Sequence, residues 1–269
     1  MRLSETKVVL TGASGGIGLE IAEALCRQGA HVLAVSRRQQ PLRRLLAQYP
    51  AHLHWVEADL CTAQGRTHVV RSAVALQGVN LLINAAGTNH FAMLEQLSAP
   101  DIESMLTINV HAPILLTSLM LPVLKQASQA MVVNVGSTYG SIGHAGYATY
   151  CASKFALRGF SEALRRELAD TNVGVLYVAP RATQTGMNSP AAQALNDALS
   201  SAVDDPQDVA RAVLNAIAGG RRELYLGWPE RFFVRLNSIL PTLVDRGLRK
   251  HLPLIRHLST AAPEEKHIP

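Results

Sequence analysis

The chain has 269 residues, 48% hydrophobic and 17% charged, which is enough for one sizeable core and too apolar for a disordered or solvating chain. The formal charge of +5 is local: residues 219–258 hold eight Lys/Arg against three Asp/Glu, and the rest of the chain has 17 of each. With no interleaved basic and aromatic residues and no zinc or helix-turn-helix signature, nucleic acid is not an expected partner.

In chain order, seven short apolar, β-branched runs read as strands: "KVVL" (7–10), "HVLAVS" (31–36), "HLHWVEA" (52–58), "NLLINA" (80–85), "MVVNVG" (131–136), "VGVLYVA" (173–179) and "ELYLG" (223–227). Several are hydrophobic throughout, as strands covered on both faces must be. Between them, 17–28, 64–77, 101–125, 150–169 and 206–218 carry helical periodicity. Alternating strands and helices imply right-handed βαβ units and an α/β fold, a seven-stranded, mostly parallel sheet with helices on both faces. The expected organisation is one domain over 1–227, a helical extension over 228–258 and a disordered tail over 259–269.

The first strand starts within a few residues of Met1, leaving no room for a signal peptide, and no uninterrupted apolar run approaches the ~18 residues of a bilayer span. A cytoplasmic protein, at most peripheral to the inner face of a membrane, is expected. Cys26, Cys61 and Cys151 lack metal-ligand spacing and read as reduced core residues. The ten His form no H-E-x-x-H and no Cys/His cluster, so no metal site is expected.

"TGASGGIG" (11–18) joins the first strand to the first helix. Gly12 allows a tight turn, Gly16 lets backbone approach a pyrophosphate, and Gly18 permits close packing of helix on strand. The helix N-terminus then offers free N–H groups and a positive dipole end to phosphate. The spacing, T-G-x-x-x-G-x-G, differs from the general G-x-G-x-x-G fingerprint. In "YCASK" (150–154) a phenol and an ammonium lie four residues apart, on one helix face. Together with "NAAG" (84–87) after the fourth strand and Ser137 in "NVGSTYG", 13 residues before Tyr150, these motifs resemble the short-chain dehydrogenases/reductases, over about residues 6 to 227.

The resemblance implies a Rossmann fold and a hydride transfer that interconverts a carbonyl and a secondary alcohol. A carbonyl accepting hydride gathers negative charge on oxygen and needs a proton donor there. A free phenol, with pKa near ~10, is too weak an acid unless an adjacent cation favours its phenolate. Tyr150 is thus the expected general acid/base and Lys154 its tuner, also implied to hold the nicotinamide ribose. Ser137 would orient the substrate oxygen. Asn109, inside "MLTINVHAPILL", is implied to anchor a proton-relay water; satisfaction by neighbouring backbone is the alternative. Cys151 points about 100° away from Tyr150 and reads as core or interface.

An NAD site usually ends its second strand in an acid. Here "AVSRRQQ" sets Ser36, Arg37 and Arg38 where a 2′-phosphate would lie, so NADP(H) is favoured over NAD(H). The resemblance implies further cofactor contacts at Ser14, Ile17, Asp59, Leu60, Asn84, Ala85, Gly87, Pro180, Thr183 and Thr185. "PRATQT" (180–185) departs from the family's usual Pro-Gly at Arg181. The loops 142–150 and 183–200 look mostly apolar, which suggests a hydrophobic ketone or acyl substrate. The competing expectation is a catalytically weak NADP(H)-binding regulator or scaffold of the same fold. An epimerase or dehydratase would need a larger C-terminal domain.

The basic-apolar segment 228–257 should break at Pro241 and Pro253 into short helices. It could serve as a lid, as a contact in a homodimer or homotetramer, or as a peripheral membrane element, since it sets Phe232, Phe233, Leu236, Ile239, Leu240, Leu243 and Val244 beside Arg231, Arg235, Arg246, Arg249 and Lys250.

Overall fold

The computed structural model describes residues 1–261. Strands β1 (Lys7–Thr11), β2 (His31–Ser36), β3 (Leu53–Glu57), β4 (Leu81–Asn84), β5 (Ala130–Val135), β6 (Val173–Ala179) and β7 (Glu223–Tyr225) form one sheet ordered β3-β2-β1-β4-β5-β6-β7. Every neighbouring pair is parallel. The helices are α1 (Gly16–Arg27), α2 (Arg43–Gln48), α3 (Ala63–Leu76), α4 (Ala99–Leu106), α5 (Ala112–Leu124), α6 (Ala148–Glu167), α7 (Pro190–Ala198), α8 (Pro206–Ala218), α9 (Trp228–Ile239), α10 (Pro241–Arg249) and α11 (Leu252–Ala261).

The central strands are largely apolar because the sheet is covered twice, whereas edge strands β3 and β7 carry exposed Glu57 and Glu223. Val8 and Leu10 point into a cluster with Ile21 and Leu25 of α1 and Val213 and Ile217 of α8. Val9, one residue out of phase, points into the opposite cluster with Val69 of α3, Leu116 and Met120 of α5 and Leu164 of α6. Truncating such a side chain to Ala costs about 2–5 kcal/mol.

Between α4 and α5 the chain makes a π-helical turn, Thr107–His111, in which the Ala112 N–H reaches the Thr107 carbonyl. The whole stretch Ala99–Leu124 is long and apolar enough to cross a membrane. It is instead a sheet-covering helix, since Ala112, Leu116, Met120 and Leu124 bury against β-strand residues.

β1 and β4 are neighbours although the chain leaves them in opposite directions, so a crevice opens beyond their carboxyl ends. β7 completes the sheet, and Pro241 and Pro253 stand in the first turns of α10 and α11. Ser259–Ala261, expected in a disordered tail, belong to α11, and residues 262–269 of that expectation lie outside the described residues.

Candidate active site

Tyr150 and Lys154 lie one turn apart near the start of α6, and the Lys154 ammonium stands over the Tyr150 ring, 5.6 Å from its centroid. Lys154 is buried and donates to the Val135 carbonyl at 3.1 Å. Burial pushes its pKa down to about 8. Burial also pushes the Tyr150 phenol up to about 12, opposed by a hydrogen bond with the Ser137 side chain. Ser137, Tyr150 and Lys154 therefore meet, but desolvation outweighs the expected pull of the ammonium toward phenolate.

Ser137 follows β5 in a turn held from below. Tyr177, fully buried on β6, donates its hydroxyl proton to the Ser137 carbonyl at 3.1 Å, and the Thr138 N–H donates to the Pro180 carbonyl at 2.9 Å. The Ser137 hydroxyl oxygen accepts from the Tyr139 N–H at 3.1 Å. Tyr177 was not foreseen, because its role depends on a strand pairing and not on a local motif.

Asn109 occupies the π-turn. Its Oδ1 accepts from the Thr88 N–H (2.9 Å), and its Nδ2 donates to the Thr88 carbonyl (2.8 Å) and to the Ser153 hydroxyl (3.0 Å). Neighbouring backbone thus satisfies most of this side chain, the alternative to a pure relay role. Gly87 borders the same spot: a Cβ there would lie 3.0 Å from Asn109 Oδ1 and 3.6 Å from Lys154 Nζ.

At the crevice, Gly12 has φ +67°, and a Cβ on it would lie 2.6 Å from the Ala86 nitrogen, so only glycine fits. A Cβ on Gly18 would overlap the Gly12 carbonyl. Thr11, which the motif reading passed over, organises the "NAAG" turn: its hydroxyl oxygen accepts from the N–H groups of Ala85 (3.1 Å) and Ala86 (3.2 Å). Helices α3, α4, α7 and α8 begin under a side-chain cap from Thr62, Ser98, Ser189 and Asp205, whereas α1, after Gly15, has no side-chain cap, like α2, α5, α6, α9 and α10. The first turn of α1, from Gly16 through Ile17 to Gly18 and preceded by Ser14, suits an anion. Leu60, Ala86, Ile108 and Leu116 line a narrow apolar niche beside it.

Three side chains have partners or exposure that the sequence did not show. The Ser36 hydroxyl donates to the Arg38 carbonyl (2.8 Å) and accepts from the Trp55 indole (3.0 Å), so it shapes the turn that carries Arg37 and Arg38. Both arginines are exposed and form no ion pair among the described residues. The Asn84 side chain turns into the core, where its Nδ2 donates to Thr117 Oγ1 (3.1 Å) and Asn134 Oδ1 (2.8 Å), so only its backbone borders the crevice. Cys61 is exposed, unlike buried Cys26 and Cys151, because it sits in the turn where its N–H caps Asp59 Oδ1 at 2.9 Å.

After β6, Thr183 is buried and accepts at its carbonyl from Asn188 Nδ2 (2.9 Å), and Thr185 lies against the glycine loop, where a Cβ on Gly16 would overlap its side chain. Arg181 spans Asp204 (Nη2–Oδ1, 2.7 Å) and Glu230 of α9 (3.5 Å), tying the loop to the C-terminal helices. That pairing explains why a long cation is accommodated where glycine is usual.

Over Tyr150 stands an aromatic wall. Tyr139 stacks on His144 (centroids 5.1 Å apart) and meets Tyr147 (5.2 Å) and Tyr150 (6.3 Å). Burial pushes the Tyr139 and Tyr147 phenols up and the His144 imidazole down, so all three are neutral near pH 7. Phe91, Tyr147, Cys151, Leu195 of α7 and Ile255 of α11 complete an apolar cluster. The two loops expected to line a pocket do come together here, and Cys151 is core as expected, its thiol pushed up by burial.

A sequence model of the short chain dehydrogenase family matches residues 6–196. The uncharacterized oxidoreductase YxnA of Bacillus subtilis is 28% identical over 93% of this chain and 73% of its own length. Hydroxysteroid 11-beta-dehydrogenase 1-like protein B of Xenopus laevis is 32% identical over 91% of this chain and 86% of its own. Among solved structures, a short-chain dehydrogenase from Burkholderia cenocepacia in complex with NADP superposes with a TM-score of 0.79 at 25% identity, covering 92% of this chain and 99% of that one. Sheet order, glycine turn and the Ser137–Tyr150–Lys154 cluster agree with these likenesses: the chain belongs to the short-chain dehydrogenase family and is an oxidoreductase.

Proposed function

We propose that the protein is an NADP(H)-dependent oxidoreductase that interconverts a carbonyl and a secondary alcohol on a hydrophobic substrate. The single observation that carries the reading is the meeting of the Ser137 and Tyr150 side chains with buried Lys154, whose ammonium stands 5.6 Å from the Tyr150 ring centroid.

A dinucleotide fits the residues present. The uncapped first turn of α1 would hold its pyrophosphate, the turn bearing Asp59 and Leu60 its adenine, and Lys154 its nicotinamide ribose. Arg37 and Arg38 support the phosphorylated form, and NADP in the Burkholderia relative is consistent with it. When bound, the reduced nicotinamide supplies hydride to the carbonyl carbon. The chain does the rest. The Ser137 hydroxyl orients the carbonyl oxygen, and Tyr150 gives that oxygen its proton. Lys154, with Asn109 nearby, returns a proton toward Tyr150. In the oxidative direction Tyr150 takes the proton back. Water is kept out by the Tyr139–Tyr147–Ile255 wall, which also supports an apolar substrate. Exposed Leu106 of α4, Leu119 of α5 and Phe155 of α6 support a homodimer or homotetramer, which light scattering would report.

The test is an NADPH-consumption screen over hydrophobic ketones and acyl carbonyls. Consumption with alcohol formed in equal amount is expected. Tight NADPH binding without turnover across the panel would contradict the reading and favour a cofactor-binding regulator.

A further inference from the structure

Helices α9 and α10 carry a surface that the reaction does not use. Among the described residues, thirteen large hydrophobic side chains are exposed, and six of them, Trp228, Phe232, Phe233, Ile239, Leu240 and Leu243, fall within residues 228–243. Trp228, Phe232 and Ile239 share one face of α9, at spacings of four and eleven, with Arg231 and Arg235 along its edge. On α10 and the Lys250 that caps it, Leu243, Arg246 and Lys250 share a face at spacings of three and seven, and Arg249 is also exposed. These five cations form no ion pair among the described residues, whereas the segment's Glu230 is already engaged by Arg181.

The patch is held out by design of its other side. Val234 and Val244 are buried, and Asn237 Nδ2 donates to the Ser141 carbonyl at 3.0 Å, which ties α9 to the turn that follows Ser137. Of the three C-terminal helices it is α11 that packs against the aromatic wall, its Ile255 buried beside Tyr147.

We propose that α9 and α10 form a docking surface for an anionic lipid bilayer. An aromatic and aliphatic stripe flanked by cations is what an interfacial helix needs: apolar groups enter the headgroup boundary while Arg and Lys meet lipid phosphate. A second copy of the chain fits less well. A two-fold contact through this face would set five cations against their own images, which disfavours self-association. The position beside the Ser137 turn lets a bilayer-borne substrate reach the aromatic wall without crossing water, but binding itself does not depend on catalysis.

Cosedimentation of the full-length protein with vesicles tests this, comparing phosphatidylcholine–phosphatidylglycerol mixtures with phosphatidylcholine alone. Binding is expected with the anionic vesicles at low salt and should fade at high salt, where charges are screened within a Debye length. Arg231→Gln and Arg235→Gln should each weaken partition about fivefold. Phe232→Ser should weaken it at least about tenfold, with an unchanged thermal melt showing that the exposed site was not structural. Three results overturn the proposal. One is no sedimentation with anionic vesicles at low salt, and another is equal, salt-insensitive binding to both vesicle types. The third is a dimer in light scattering that Phe232→Ser dissociates, which would make the patch an interface between copies.

Discussion

The floor of the active site and the α9–α10 surface solve opposite problems. Under Tyr150, a lysine is buried, and its ammonium, Ser153, Asn109 and the Ser137 turn all have fixed partners. On α9, Trp228 and Ile239 are each 75% exposed, and the helix touches the catalytic end through little more than Asn237–Ser141 and Glu230–Arg181. Where charge is buried, every donor is spoken for and pKa values move. Where apolar surface is exposed, position rests on a few polar anchors. Changes on the floor should therefore alter chemistry, and changes on the surface should alter stability or attachment while sparing it.

The largest effect should come from Lys154→Met, which keeps the bulk and removes the ammonium. Turnover should fall at least ~10²-fold. Stability should move the other way. The folded-state pKa, about 8, lies below the ordinary 10.5, so between those values the unfolded chain binds more protons than the folded one. Wild-type stability attributable to Lys154 thus rises as pH increases from about 8 to 10.5, by on the order of 3 kcal/mol, and Lys154→Met should lack that rise. Denaturant melts at pH 7 and at high pH, compared between the two proteins, check the sign. In the same window, kcat/KM for the dinucleotide should decline with an alkaline midpoint near 8.

Next comes Arg37→Ala. Loss of a charge-assisted contact should weaken NADPH about ten- to a hundred-fold and leave NADH nearly unchanged in cofactor titrations. Equal wild-type affinity for the two dinucleotides would remove the basis for the preference. Ser36→Ala should act through the Trp55 contact on stability and leave the preference intact.

Arg181→Gly probes the joint between the two regions. It frees Asp204 and Glu230, and should cost roughly 1.5–3 kcal/mol in a denaturant melt. A severalfold rise in KM with little change in kcat would show that the joint positions the loop bearing Thr183 and Thr185. Asn237→Ala should be smallest, about 1 kcal/mol and a few degrees in Tm, with turnover preserved.

The floor was far more legible in the sequence than the surface. The central strands carried their signal locally, since a strand covered on both faces is apolar at nearly every position, and the Tyr150–Lys154 spacing states its own helix geometry. Six-residue α2 and nine-residue α7 are too short for a periodic pattern to stand out. Thr11 and Tyr177 escaped notice because their partners lie on distant elements that only the sheet brings close, and Tyr139 because the fold-back of the loop onto His144, Tyr147 and Tyr150 leaves no periodic signal. The direction of the Asn84 side chain was illegible for the same reason, as Thr117 and Asn134 lie on α5 and β5. The composition of 228–257 suggested lid, interface or membrane element alike. Only burial separates α11, which covers the aromatic wall, from α9 and α10, which do not.

The central claim is that Tyr150 gives its proton to a substrate oxygen while hydride arrives at the adjacent carbon. Single-turnover absorbance of NADPH after mixing with a responsive ketone, for wild type and Tyr150→Phe, tests it most directly. The variant keeps the ring and loses the hydroxyl. NADPH should bind it within about twofold of wild type, and NADPH should disappear at least ~10²-fold more slowly. Equal single-turnover rates in the two proteins, at equal NADPH occupancy, would contradict the account.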